Sequence, residues 1–124
     1  MTMEEEKGLV DVNYLLELSG GEPGYMHQVM SIFLENMKKG LANLDKNIRK
    51  DEDWDSVSQQ AHSLKSGLGI VRIPGILEDL QAMETMALGT GDKSGLAGLL
   101  EHIRELFGKA EPEILGMMAR YRKG

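Results

Sequence analysis

Apolar residues recur at steps of three or four along most of the chain, the spacing that lines one face of a helix. From Asp11 to Leu18, "DVNYLLEL" predicts a short helix that Gly20-Gly21 stops, and Glu22-Pro23 can open the next one. Tyr25, Val29, Ile32, Phe33, Met37, Leu41, Leu44 and Ile48 then mark the stripe of one long amphipathic helix. Gly40 lies inside it, at a cost of about 1 kcal/mol relative to alanine. "KDEDWD" supplies acidic caps for a third helix with core positions Trp54, Val57, Ala61, Leu64, Leu68 and Val71. A fourth runs from about Pro74 to Leu88, with Leu77, Leu80, Ala82, Met83 and Ala87 facing inward. Beyond "GTGDKSG", where Asp92 or Ser94 can cap, Leu96, Leu99, Leu100, Ile103, Leu106 and Phe107 lead on to Ile114, Leu115 and Met118. Pro112 either kinks this last helix or separates a final short one.

Four amphipathic helices joined by short loops, with a short one in front, predict an all-α fold: an antiparallel four-helix bundle with an additional N-terminal helix. Composition agrees, because β-branched and aromatic residues are sparse while Leu, Met, Glu, Lys and Ala are plentiful. With 124 residues, 41% of them apolar, the expectation is one domain over 1–124, with 1–10 as a flexible N-terminal segment.

Composition also narrows the function. Cysteine is absent, which excludes disulfides and thiolate metal sites. No stretch approaches the roughly 20 apolar residues that span a bilayer, and "MTMEEEKG" lacks the pattern of a signal peptide, so we expect a cytoplasmic domain without membrane insertion. A formal charge of −6 argues against nucleic acid as a partner. His27 and His102 belong to no metal-binding pattern, so no metal site is assigned. "GTGDKSG" reads as an interhelical turn rather than a phosphate loop, since no strand precedes it, and the nine methionines read mostly as core filler.

One stretch stands apart from this pattern: "QQAHSLKSGLG", Gln59 to Gly69. At about 100° per residue, Ser58, Lys65, Ser66 and Gly69 fall within roughly 60° of His62, while Leu64, Leu68 and Val71 point toward the core. His62 is therefore expected on the solvent side, with a cation one turn away and little bulk toward the C-terminus. Neutral imidazole is a nucleophile near pH 7 and can take a phosphoryl group if its approach is open. Lys65 can face the incoming phosphoryl oxygens. Gln59 and Ser66 are candidates for orienting the ring or the phosphoryl group, and Gly69 and Ser58 for partner access.

"AHSLKSGLGIVRIPGILEDLQAMETMA", Ala61 to Ala87, resembles the signature region of histidine-containing phosphotransfer (HPt) domains of multistep phosphorelays. His62, Leu64 and Lys65 match that family's pattern, and "DVNYLLELSGGEPGYMHQVMSIFLENM" resembles its approach to the bundle. Two departures stand out. Lys65 is followed by Ser66-Gly67 where the family commonly has glycine and then serine, and Arg72 and Ile73 stand where it often has a glycine and a small residue. The resemblance implies a phosphoryl carrier, not an enzyme in its own right, working with response-regulator receiver domains and a hybrid sensor histidine kinase. His62 would be the phosphoacceptor, and Lys65, Gln59 and Ser66 would support the phosphate. The carrier would need no cofactor of its own, with Mg²⁺ supplied by the receiver. Two alternatives stay open: a degenerate adaptor that binds receivers without phosphorylation, and the phosphoacceptor module of a larger histidine kinase.

Overall fold

The computed structural model describes residues 9–50 and 53–121 and is all-helical, with no strand among the described residues. The short α1 (Asn13–Ser19) ends where Gly20 and Gly21 take positive φ, 65° and 80°, a backbone that glycine adopts without steric cost. α2 (Pro23–Lys50) opens on proline, whose missing N–H has no helical partner to lose. The Glu22 carboxylate closes its first turn by accepting from the Tyr25 N–H at 2.6 Å. α3 (Trp54–Gly67) is capped by Asp53, which accepts from the Ser56 N–H at 3.1 Å and from its hydroxyl at 2.7 Å. α4 (Ile76–Leu88) begins behind Gly75, at φ 94°, and Glu78 accepts from the Gly75 N–H. α5 (Gly95–Tyr121) carries Pro112 inside one helix. Of the two roles open to Pro112, separating a final helix is thereby ruled out.

α2 packs against α3, α3 against α4, α4 against α5 and α5 back against α2, closing a bundle around one apolar cluster, and α1 lies on α2. Within the long helix the stripe matches the expected one at Phe33, Met37, Leu41 and Leu44 and departs from it at Tyr25, Val29, Ile32 and Ile48. Met26, Met30, Phe33, Leu34, Met37, Leu41 and Leu44 are buried, whereas Tyr25 and Ile32 are exposed and Val29 and Ile48 only partly covered. The reason is that α2 packs against α3, α5 and α1, so its buried sector is wide, and unbranched methionines fill part of it. In α4 the inward positions are Ile76, Leu80, Met83 and Ala87, while Leu77 and Ala82 face solvent, and in α5 Leu115 is exposed as well.

α3 stops at Gly67, short of the expected end. The Leu68 N–H bonds the Lys65 carbonyl at 3.1 Å, and a tight turn brings Leu68 and Val71 into the core from outside the helix. Gly40 has a packing reason: a Cβ there would lie 2.5 Å from a Leu64 methyl, so α3 approaches α2 through the glycine.

Residues 1–8 of the expected flexible segment lie outside the described residues. Leu9 and Val10 are pinned, because Glu113 of α5 accepts from both backbone N–H groups, at 2.8 and 3.3 Å, and Val10 is buried. Asp11 and Arg72 then pair backbone to backbone in both directions, at 2.8 and 3.0 Å. Residues 9–11 are thus fastened to α5 and to the turn that follows α3.

Candidate functional site

α3 holds His62 outward with its side chain 71% exposed, because Ala61 and Leu64 on the opposite side are drawn into the core. From the neighbouring helix, Glu84 Oε2 lies 3.1 Å from His62 Nδ1. The other Glu84 oxygen accepts from Lys65 Nζ at 2.8 Å, and Gln81 Oε1 accepts from the same ammonium at 2.6 Å. Lys65 and Glu84 are both four-fifths covered, so this contact is better shielded from water than an ordinary surface ion pair.

The electrostatics follow from that contact. The Lys65 hydrogen bond, reinforced by its charge and by His62, holds the Glu84 carboxyl below its ordinary value against a smaller desolvation effect. Glu84 is therefore ionised at neutral pH and can only accept. Nδ1 of a neutral His62 must then carry the ring proton, which leaves the lone pair on Nε2, pointing away from Glu84. The site consists of an oriented nucleophilic nitrogen, a carboxylate behind it and a lysine one turn along.

The other residues singled out in the sequence fare unequally. Ser58, expected at the surface for partner access, is buried at 6% exposure on the side of α3 that meets the bundle. The Ser66 hydroxyl donates to the Ser63 carbonyl at 2.8 Å, so its proton is engaged with its own helix. Gln59 lies in a shallow hollow with Asn43 and Asn47 of α2, and among the described residues it makes no hydrogen bond to His62. Gly69 lies in the turn beyond the helix, outside the helical geometry that set its expected direction; an added Cβ would meet only the Ser66 carbonyl, at 3.5 Å, so no close packing requires the glycine. His102 pairs through Nδ1 with Asp79. Lys93 of "GTGDKSG" donates to the Gly89 and Gly91 carbonyls, at 2.7 and 3.1 Å, and so braces a turn. Among the described residues no three His, Asp or Glu side chains gather to hold a metal, and no helix is long and apolar enough to cross a membrane.

Sequence reasoning missed Glu84 and Gln81. A signal was present: both lie one position after the core residues Leu80 and Met83, at the border of the α4 stripe, where polar side chains reach a neighbouring helix.

A closed helical bundle with an outward imidazole, its Nδ1 held from behind and a lysine alongside, is an arrangement suited to carrying a group on histidine. The sequence model of the Hpt domain family matches residues 28–121, a span that contains His62, Lys65, Gln81 and Glu84, and the chain belongs to that family. Hpt domains act in histidine phosphotransfer in two-component phosphorelays, with receiver or kinase domains as partners. No curated protein and no solved structure matches the chain.

Proposed function

We propose that this chain is a phosphorelay carrier whose His62 takes a phosphoryl group from a receiver-domain aspartate and passes it on in the same way. The observation that carries the reading is the exposed Nε2 of a ring whose Nδ1 is bonded to Glu84. Nε2 attacks phosphorus, the N–P bond forms as the acyl P–O bond breaks, and the electron pair returns to the donor as carboxylate. The ring becomes cationic in that step, and the ionised Glu84 stabilises it from behind. Lys65 meets the phosphoryl oxygens by exchanging Gln81 or Glu84 for them, while Glu84 keeps Nδ1.

Alignment and most of the charge compensation come from the partner, whose Mg²⁺ and acidic pocket hold the donor. The chain then acts as a carrier rather than an enzyme, without a cofactor of its own, in an antiparallel four-helix arrangement and in the cytoplasm. Ser66 can serve only as an acceptor unless its hydroxyl leaves Ser63.

The test is phosphoryl transfer: the chain is incubated with phosphorylated receivers and Mg²⁺, and acid-labile, base-stable phosphate is followed on wild type and His62→Gln. Label on the wild type that vanishes with His62 is expected. Receivers that bind without labelling would make the chain an adaptor.

A further inference from the structure

Arg72 is a departure from the family's usual residues, and the fold has organised it. Its backbone is locked to Asp11 in both directions, its Nε donates to the Gly69 carbonyl at 3.2 Å, and its guanidinium lies over the Tyr14 ring, 5.5 Å from the centroid. The side chain is exposed, and no described residue accepts from its two terminal amino groups. A guanidinium already oriented by its backbone, a carbonyl and an aromatic face has lost most of its freedom before any partner arrives.

Beside it lies an open hollow of about 430 Å³, walled chiefly by Leu68, Ile73, Pro74 and Leu77. Leu77 is 44% exposed on the first turns of α4. Two carboxylates reach the same hollow and both are engaged with local backbone: Asp11 accepts from the Asn13 N–H, and Glu78 from the Gly75 N–H. The hollow and the His62 site share one face of α4. Leu77 and Glu84 stand seven residues apart on one face of α4, about 10 Å along its axis, with Gln81 between them. A protein seated over His62 would cover this distance within an interface of ordinary size.

Resting on the carrier reading for the identity of the partner, we propose that Arg72 and this hollow form a docking site that selects the receiver. The occupant is a receiver segment carrying a carboxylate, which the guanidinium takes in a bidentate pair, next to an aliphatic side chain that fills the space against Leu77. Only the combination of the two satisfies the site. A receiver with the aliphatic residue and no carboxylate would cover the guanidinium's remaining donors without a partner.

The experiment measures affinity separately from transfer. A panel of unphosphorylated receiver domains is titrated against the intact chain carrying wild-type Arg72, Arg72→Ala, Arg72→Lys or Leu77→Ser, with thermal melts to confirm the fold. For the receivers that bind wild type, Arg72→Ala should weaken binding at least tenfold and flatten its salt dependence. Arg72→Lys should recover little, because an ammonium cannot reproduce the fork, and Leu77→Ser should cost several-fold. Unchanged affinity in Arg72→Ala, or full recovery in Arg72→Lys, overturns the docking site while leaving the carrier reading in place. Receivers that bind through Arg72 but never label His62 remove the carrier reading and keep the docking site. If no receiver binds wild type, the proposal falls.

Discussion

α4 holds a histidine on each side. Glu84 takes His62 from α3, and Asp79 takes His102 from α5, each through Nδ1. Both rings are more than half exposed, 71% and 53%, and both carboxylates are largely covered. The surroundings differ. Lys65, three residues after His62, completes a network with Glu84 and Gln81, whereas His102 has Glu101 before it and Glu105 three residues after it, both exposed. An anionic donor approaching His102 would meet two carboxylates where it meets an ammonium at His62. Under the proposed carrier reading, a histidine backed by an acid is therefore not enough to make a phosphoacceptor, and the residue one turn later contributes to whether the phosphoryl group is attracted or repelled.

The largest effect should come from removing each ring in turn. His62→Gln should abolish labelling by a phosphorylated receiver, and His102→Gln should leave it at the wild-type level, with acid-labile phosphate as the readout. Residual label on His62→Gln that disappears in the double variant would make His102 a second acceptor and end the contrast.

The two carboxylates should separate next. Glu84→Gln should slow transfer by about tenfold to a hundredfold, by analogy with the loss of the hydrogen-bond partner that orients a metal-bound imidazole, while Asp79→Asn should change it less than about twofold, as expected away from the site. Rapid-quench kinetics on the two variants tests this, and equal losses would mean that α4 acts as a scaffold and Glu84 has no special role. Lys65→Ala should fall at the lower end, about tenfold, because the receiver supplies most of the charge compensation.

How far these two sites were legible in the sequence follows from what a helical wheel can know. It placed His62 outward and Leu64 inward correctly, since both depend only on the period of α3. Ser58 was lost because a wheel gives direction and not the width of the covered sector, and the bundle covers the side of α3 that carries it. Gly69 was placed by continuing a helix that ends at Gly67; the two glycines of "SGLGIV" were a stop signal, outweighed by Leu68 and Val71, which keep helical spacing although a turn buries them. Glu84 and Gln81 depend on the offset between α3 and α4, which is set by packing. Gly40 against Leu64 fixes α3 on α2 in the same way: a recognisable cost in the sequence, with a reason visible only in the fold.

The smallest effect is on stability and concerns Glu84 alone. Its carboxyl is held below the ordinary value, chiefly by the Lys65 hydrogen bond, so the folded chain binds the proton less readily than the unfolded one. Stability from this source is fully present above the ordinary glutamate value of about 4.3 and is lost as pH falls through the lowered folded value. Melting temperatures of wild type and Glu84→Gln should thus differ by a constant amount at neutral pH, and the wild-type advantage should shrink as the pH drops below about 4. Because Lys65 is the main cause, Lys65→Ala should shrink the same gap at neutral pH. A gap that persists unchanged to pH 3 would show that Glu84 acts by shape and not by charge, and the contrast between the two histidines would then have to rest on Lys65 alone.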